Sequence, residues 1–154
     1  MIPNAPISEL IQSKGSSVWT VSPETMVYDA IQMMSDKDVG ALVVSKDGKM
    51  VGMMSERDYT RKIVLKGKSS RTTPVGEILS ETVVQVTPET TVQECLHLMT
   101  QSRIRHLPVL KDETLAGIIS IGDLVNWVIQ AQSSTIQQLE TYISGYPPEE
   151  QPES

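Results

Sequence analysis

The sequence predicts an α/β protein with layered helices and small sheets, built from two tandem β-α-β-β-α units related by a pseudo-two-fold axis. The first observation is an internal repeat, since residues 18–64 align without a gap on residues 83–129 with 14 of 47 pairs identical. The second is that both copies pass from helical to strand-like apolar spacing at matching positions. The third is length, because half of 154 residues is marginal for a separate core. The two units should therefore pack together, leaving a cleft between them where a ligand can bind.

A short helix and a short strand open each copy. Residues 6–11 resemble residues 74–79, so the repeat extends upstream with the offset rising from 65 to 68 residues. The strands are predicted at residues 18–21 and 83–86, where β-branched residues are frequent.

The main helix of each copy is indicated by apolar residues at helical spacing. Thr90 and Gln93 have the spacing of a capping box, in which a hydroxyl and an amide satisfy N–H groups of the first turn. Cys95 lies on the apolar face and is predicted to be a small core residue. The two apolar faces are Val27, Ala30, Ile31 and Met34 in the first copy and Val92, Cys95, Leu96 and Met99 in the second.

A hairpin and a second helix complete each copy. Residues 46–49 (KDGK) form a typical tight turn between two strand-like segments. The closing helices should begin near Glu56 and Ile121. The predicted hairpin strands are residues 41–45 and 50–55 in the first copy and residues 107–110 and 115–120 in the second.

The organisation along the chain follows from the repeat and from the polar, Gly/Ser/Pro-rich segment between the copies. The tail is acidic and rich in proline, so it is expected to be disordered. The predicted segments are repeat 1 at residues 6–66, a linker at 67–74, repeat 2 at 75–130, a C-terminal helix at 131–145 and a disordered tail at 146–154.

Composition disfavours several classes of protein. A formal net charge of −6 argues against a general nucleic-acid binder, although six of the thirteen basic residues fall within residues 57–71. The sequence contains no stretch of 18 apolar residues, so no membrane span is predicted. Its one cysteine cannot form a disulfide framework. The N-terminus resembles neither a signal nor a transit peptide, so we expect a cytoplasmic protein, or one of an organelle matrix if a transit peptide has been removed.

One motif occurs twice at a predicted strand-to-helix junction, as Gly52-x-x-Ser55-x-x-Asp58 and Gly117-x-x-Ser120-x-x-Asp123. A Ser-x-x-Asp pair alone is explained by helix capping. Three features favour a ligand instead: helix N–H groups suit phosphate, a carboxylate can accept two hydrogen bonds from a ribose diol, and glycine lets a flat ring approach the backbone.

A basic segment precedes the hairpin of the second copy. Arg103, Arg105 and His106 fall within four residues, and an arginine fork matches phosphate well. The alternative is an ordinary rim of ion pairs. The first copy has no basic residue at the matching positions, although Arg57 lies inside its Ser-x-x-Asp motif. The two halves are therefore chemically unequal.

These residues resemble the CBS domain family, named after cystathionine β-synthase. The resemblance covers residues 6–130 and rests on the tandem units, the paired Gly-x-x-Ser-x-x-Asp motifs and the segment RHLPV. It implies a two-repeat (Bateman) module that packs sheet to sheet and pairs into a homodimer. It also implies an adenosine-containing ligand: AMP, ADP, ATP, NAD(H) or S-adenosylmethionine.

The resemblance assigns site residues in both copies. Ser55 with Asp58, and Ser120 with Asp123, would each define a cleft, with the aspartate on the ribose. Phosphate would be held by Arg57, Arg103, Arg105 and His106. The remaining expected ligand-binding positions are Thr20 and Val21 near the first strand, together with Gly40, Ala41 and Pro108.

Three hypotheses remain open for the function. The first is a sensor, in which a bound nucleotide changes the shape or partner affinity of a homodimer that acts on an unknown protein. The second is a structural adaptor whose motifs only cap helices. An enzyme ranks last, because no catalytic or metal-binding constellation and no required cofactor is evident. Within the sensor hypothesis, we expect the Asp123 cleft to bind more strongly, with Arg105 and His106 nearby.

Overall fold

The computed structural model describes residues 2–14, 18–80 and 83–144. The predicted disordered tail at residues 146–154 lies outside the described residues. The helices are α1 (Ser8–Lys14), α2 (Val27–Lys37), α3 (Glu56–Tyr59), α4 (Val92–Ser102) and α5 (Ile121–Ser144), and the strands are β1 (Thr20–Val21), β2 (Ala41–Lys46), β3 (Lys49–Ser55), β4 (His106–Lys111) and β5 (Thr114–Ser120).

The first copy forms a three-stranded sheet in the order β1-β2-β3, with β1 parallel to β2 and β3 antiparallel to it. The second copy forms the antiparallel pair β4-β5. Its predicted strand at residues 83–86 is reduced to a single parallel bridge between Val86 and Val109.

Proline explains this difference between the sheets. Val86 donates its N–H to the Pro108 carbonyl, and Leu110 donates to the Val86 carbonyl. Extending this parallel pattern by two residues would require an N–H group from Pro108, which has none. The matching residue of the first copy is Val43, which can donate, and there β1 is formed.

The hairpin turns repeat in backbone conformation although their sequences differ. Asp47 and Gly48 have φ angles of 53° and 77°, and Asp112 and Glu113 have φ angles of 50° and 66°. Positive φ at both loop residues is typical of the I′ turn, whose twist matches that of the flanking strands. The predicted turn in the first copy is therefore confirmed.

The apolar faces of α2 and α4 are confirmed, with Val27, Met34, Val92 and Cys95 buried. The predicted capping box of α4 is displaced by one residue. Thr91 and Glu94 form it, since each side chain accepts the other's backbone N–H at 3.2 Å. The Thr90 hydroxyl instead accepts the N–H of Thr87 in the preceding turn.

The opening segments are exchanged between the two copies. Ile7 and Leu10 pack into the core of the second copy, and Val75 and Ile78 pack into the core of the first. Matching bridges, Pro6 with Thr91 and Met26 with Pro74, fix both crossings. The opening helix predicted at residues 74–79 is a 3₁₀ turn, Val75–Glu77. Each core therefore includes apolar residues from the opening segment of the other copy.

The two sheets meet at a third apolar cluster, which confirms the predicted α/β architecture of two packed units. Ala41, Val43 and Met53 of the first copy pack there against Leu115 and Ile118 of the second. This contact between the sheets lies beside the cleft described below.

The helices that follow the two motifs differ. In the first copy α3 continues as a wide π-turn, Thr60–Val64, in which Leu65 donates to the Thr60 carbonyl. In the second copy α5 continues as an α-helix to Ser144, so the predicted helix at residues 131–145 is an extension of α5. Among the described residues, none of the helices combines the length and apolarity needed to cross a membrane.

Candidate functional site

A cleft of about 760 Å³ lies between the two copies and opens beside Asp58. Both copies contribute to its walls, and half-buried Val83 and Val84 lie on the segment that enters the second copy. Its lining residues are Gly40, Ala41, Met53, Ser55, Glu56, Arg57, Asp58, Arg61, Lys62, Ser80, Val83, Val84, Ser102, Ile104, Arg105 and His106.

The Asp58 carboxylate is held in place by four donors. Its Oδ2 accepts from the backbone N–H of Ser55 at 2.9 Å and from the Ser55 hydroxyl at 3.1 Å. Its Oδ1 accepts from the Ser80 hydroxyl at 3.3 Å and lies 3.1 Å from the Lys62 ammonium. Asp58 is therefore part of a helix cap and of an ion pair at the same time.

The backbone N–H groups at the start of the motif helices are partly used within the chain. Glu56 donates to the Gly40 carbonyl at 3.1 Å, and Asp58 donates to the Ser55 hydroxyl at 3.3 Å. Ile121 and Asp123 make the matching bonds in the second copy. The N–H groups at these four positions are therefore already bonded within the chain and are not free for a phosphate.

Cationic side chains outnumber carboxylates on the cleft wall. Among the lining residues that the structure describes, Arg57, Arg61, Lys62 and Arg105 are the cationic ones apart from His106, and Glu56 and Asp58 are the acidic ones. The cleft is thus locally positive in a chain of net charge −6. A positive cleft with low-dielectric walls concentrates anions.

Sequence reasoning missed Arg61 and Lys62 as site residues. They follow Asp58 by three and four residues, the spacing that places side chains on one face of a helix. That spacing was a usable signal, and the structure places both side chains on the cleft wall beside Asp58.

Arg57 joins the two copies directly. Its Nη1 donates to the carbonyl of Arg103 at 2.7 Å. Arg103 ends α4 with a positive φ of 53°, and this cap conformation turns its carbonyl toward the other copy. The predicted role of the Arg103 side chain is not supported by the cleft lining, which includes Ser102 and Ile104 but not Arg103.

Arg105 and His106 lie on the wall of the Asp58 cleft. His106 is close to Gly40 of the first copy, since a β-carbon at Gly40 would lie 3.2 Å from the imidazole Cε1. His106 also pairs with Ser120 in the β4–β5 ladder, at the end of the hairpin that carries the second motif. The sequence places these two residues near Asp123, and the structure also places them on the wall of the Asp58 cleft.

The second motif is formed but differently surrounded. Asp123 accepts the backbone N–H of Ser120 at 2.9 Å, which completes a capping box like that of Asp58. Along the repeat, the basic residues beside Asp58 are replaced in the second copy. Gly122, Asn126 and Trp127 stand where the first copy has Arg57, Arg61 and Lys62.

Several predicted residues lie outside this cleft. Thr20 is exposed on β1, Val21 and Pro108 are buried, and neither Ser120 nor Asp123 lines the cleft. Gly40, Ala41, Ser55, Arg57 and Asp58 do line it, as do Arg105 and His106.

The motif glycine has a different role from the one predicted. A β-carbon at Gly52 would lie 2.6 Å from the Ser80 carbonyl oxygen, so the close approach is made by the chain's own backbone. That approach brings Ser80 to Asp58. Gly52 therefore shapes the site without facing a ligand.

Cys95 lies where the sequence predicts, on the buried face of α4. Cys95 is fully buried, and desolvation raises the pKa of its thiol to about 11, with the nearby Glu94 carboxylate adding to the effect. The thiol is therefore protonated and shielded at neutral pH. His97 is exposed on α4. Within residues 2–14, 18–80 and 83–144, no three His, Cys, Asp or Glu side chains come together as metal ligands.

Comparison with known families gives a match over most of the chain. A family model described as the CBS domain matches residues 3–65 and residues 75–130. A mitochondrial CBS domain-containing protein of Arabidopsis thaliana is 44% identical over 149 residues, covering 90% of this chain and 72% of its own length.

Solved structures agree with the sequence relatives. A CBS-domain protein from Burkholderia ambifaria has a TM-score of 0.80 and 43% identity, covering 83% of this chain and 96% of its own. A CBS-domain protein from Agrobacterium tumefaciens has a TM-score of 0.76 and 33% identity, covering 79% of this chain and 98% of its own.

Proposed function

The chain belongs to the CBS domain family, and we propose that it is a regulatory module whose Asp58 cleft binds an adenine nucleotide. The observation that supports this most directly is a carboxylate held beside a cluster of cationic side chains in one cleft. A nucleotide presents the complementary groups, hydroxyl donors on the ribose and negative charge on the phosphate.

The dimensions and lining of the cleft suit a ligand of this size. Its volume of about 760 Å³ lies within the range usual for small-molecule sites. Met53, Val83 and Ile104 offer apolar surface to a planar base. Arg57, Arg61 and Arg105 offer donors to phosphate oxygens.

Binding should be unequal in the two copies, in the order opposite to the one expected from sequence. Arg105 and His106 lie on the wall of the Asp58 cleft, beside the basic residues of α3 and its π-turn. The matching positions around Asp123 are occupied by Gly122, Asn126 and Trp127. The Asp58 cleft is therefore the principal site in this proposal.

The module is proposed to act by a change in shape or partner affinity and to perform no chemistry of its own. Its relative from Burkholderia ambifaria is described as a proposed signal-transduction protein. A ligand shifts such an equilibrium only if it binds two states with different affinity.

Self-association belongs to the same proposal. Ile121, Val125 and Ile129 recur every four residues along α5 and are 39%, 47% and 56% exposed. Such a stripe is typical of a helix that packs against a partner. A homodimer is proposed, and a related CBS-CP12 protein from cyanobacteria is hexameric.

The cellular location is proposed to be the cytoplasm or an organelle matrix. The relative from Arabidopsis thaliana is mitochondrial. A nucleotide ligand is available in either compartment, so the proposed function does not depend on the choice.

Thermal unfolding with and without ligand tests the proposal. Wild type, Asp58→Asn and the matched control Asp123→Asn are each measured with AMP, ATP, NADH and S-adenosylmethionine. A ligand at about 100 times its Kd adds about 2.7 kcal/mol, which raises the melting temperature by about 5–10 °C in a chain of this length. Asp58→Asn should lose this shift and Asp123→Asn should keep it.

The adaptor hypothesis is the second candidate, and one observation favours it. Both Ser-x-x-Asp motifs are complete capping boxes without a ligand, so each stabilises its helix on its own. If none of the four compounds shifts unfolding of the wild type, the adaptor is correct and the sensor is wrong. A shift that Asp123→Asn abolishes and Asp58→Asn retains would place the principal site in the other cleft.

A further inference from the structure

The Asp58 carboxylate has no acceptor position in reserve for a ribose. An ionised carboxylate offers about four lone-pair sites. Two on Oδ2 are used by Ser55, and Oδ1 is shared by the Ser80 hydroxyl and the Lys62 ammonium. A diol that binds here must displace one of these donors.

Lys62 is the donor best able to leave. The Ser55 contacts belong to the helix cap, whereas the Lys62 side chain is 41% exposed and has a flexible four-carbon stem. Its ammonium also donates to the Ile78 carbonyl at 2.9 Å. Lys62 itself lines the cleft, so a swing away from Asp58 keeps its charge within reach of a bound ligand.

Whether Lys62 can be displaced from Asp58 depends on the charge that the ligand carries. Displacing Lys62 breaks a charge-assisted hydrogen bond with a carboxylate that is only 13% exposed. A nucleoside supplies no anion to replace it, whereas a nucleotide supplies phosphate oxygens. Asp58 can then be released to the ribose while Lys62 moves to the phosphate.

We propose that Lys62 makes ribose binding at Asp58 conditional on a ligand phosphate, so that the cleft selects nucleotides over nucleosides. This inference rests on the proposed nucleotide function and names a specificity-determining residue within that site. Lys62 competes with the ribose for the Asp58 carboxylate, and only a second anion displaces it.

Lys62 has no basic counterpart at the matching position of the second copy. Lys62 lies in the π-turn Thr60–Val64, and π-turns inside helices often occur at functional sites. The matching residue of the second copy is Trp127, on regular helix α5, which cannot pair with Asp123 through a charge. A lysine that competes for the motif carboxylate from this position is therefore a feature of the Asp58 cleft.

Calorimetric titration of adenosine into wild type, with and without inorganic phosphate at matched ionic strength, tests the coupling. Phosphate should occupy Lys62 and free Asp58, so adenosine binding should tighten about tenfold, within the range usual for coupled sites. Lys62→Met should bind adenosine about tenfold more tightly than wild type without phosphate, and phosphate should add nothing. The advantage of AMP over adenosine should shrink about tenfold in this variant, and the remainder is due to Arg57, Arg61 and Arg105, which still face the phosphate.

Control variants separate this role from a structural one. Lys68→Met removes the same charge from a lysine outside the cleft lining and should behave as wild type. Lys62→Arg keeps the cation and should keep the preference for AMP. If Lys62→Met fails to fold, the phosphate titration of wild type still decides the question.

Two results would overturn the inference. Wild type that binds AMP but gains no adenosine affinity from phosphate shows that Lys62 does not gate Asp58, while the nucleotide site itself stands. Wild type that binds none of the three compounds with a phosphate, AMP, ATP and NADH, removes the nucleotide site and the gate together.

Discussion

Replacing Gly52 or Gly117 with alanine makes the same chemical change at matching positions of the two copies, and the structure predicts opposite results. A β-carbon at Gly52 would lie 2.6 Å from the Ser80 carbonyl oxygen and 2.7 Å from Leu79 Cδ1. A β-carbon at Gly117 would meet only the side chain of Ile11, at 3.6–3.8 Å. The first is a collision with backbone and the second is ordinary contact.

The magnitude follows from what must move at Gly52. Leu79 can change rotamer, but Ser80 is paired with Met53 through two backbone hydrogen bonds of 3.2 and 2.9 Å. Losing both costs about 1 kcal/mol each, and the displaced backbone adds some strain, so Gly52→Ala should destabilise the fold by about 2–3 kcal/mol. At Gly117, alanine reduces the freedom of the unfolded chain, and the change should lie within about 0.5 kcal/mol of zero or slightly stabilise.

Urea denaturation followed by circular dichroism measures this difference. The melting temperature of Gly52→Ala should also fall by about 5–10 °C, given about 2–4 °C per kcal/mol for a chain of this length. Equal effects of the two substitutions, or a larger loss at Gly117, would refute the account of Ser80 as the neighbour that requires glycine.

Two further predictions concern the hairpin turns and the surface of α5. Glu113 is exposed and has a φ of 66°, a backbone conformation that glycine adopts at lower cost. Glu113→Gly should therefore stabilise the fold by about 0.5–1 kcal/mol in urea denaturation, and Gly48→Ala at the matching turn should destabilise it. No loss of stability in Gly48→Ala would contradict the turn geometry. Val125→Glu on the exposed apolar stripe should shift sedimentation from dimer to monomer, and Gln130→Glu, on another face of α5, should leave the dimer intact.

Elements with local causes were predictable from sequence. The apolar faces of α2 and α4 follow from helical spacing, and the first hairpin follows from its Asp-Gly turn. The failure of the strand at residues 83–86 was also available in principle. Pro108 lies on the partner strand and lacks the N–H group that a longer parallel pairing would need.

Exchange of the opening segments could not be predicted in this way. Residues 6–11 and 74–79 are similar, so the sequence indicates that they are equivalent but not which core each one fills. The pairing is set by contacts far apart along the chain, such as Ile7 with the core that contains Val92. Burial of apolar surface is non-directional, so either core could bury the apolar side chains of either opening segment. The backbone bridges show which core each segment fills.

The sequence indicates many residues of the Asp58 cleft but not which of them lie in the same cleft. The sequence places Arg105 and His106 near Asp123, since these residues belong to one copy. In the structure both residues also lie on the wall of the Asp58 cleft, because the start of β4 lies against Gly40 of the first copy. Arg61 and Lys62 were missed because the motif was treated as ending at Asp58, although the next helical turn lies on the same face.

The two copies share the residues that build their cores and helix caps but differ in the basic residues beside the motif aspartates. Both copies must fill a core, so apolar positions and capping boxes recur, whereas Arg57, Arg61 and Lys62 beside Asp58 have no basic counterpart in the second copy. The Asp58 cleft is built from both copies, with Arg57 bonded to the Arg103 carbonyl and His106 against Gly40. A ligand held there must contact both halves at once. Its affinity therefore depends on their relative position, and by linkage its binding must bias that position.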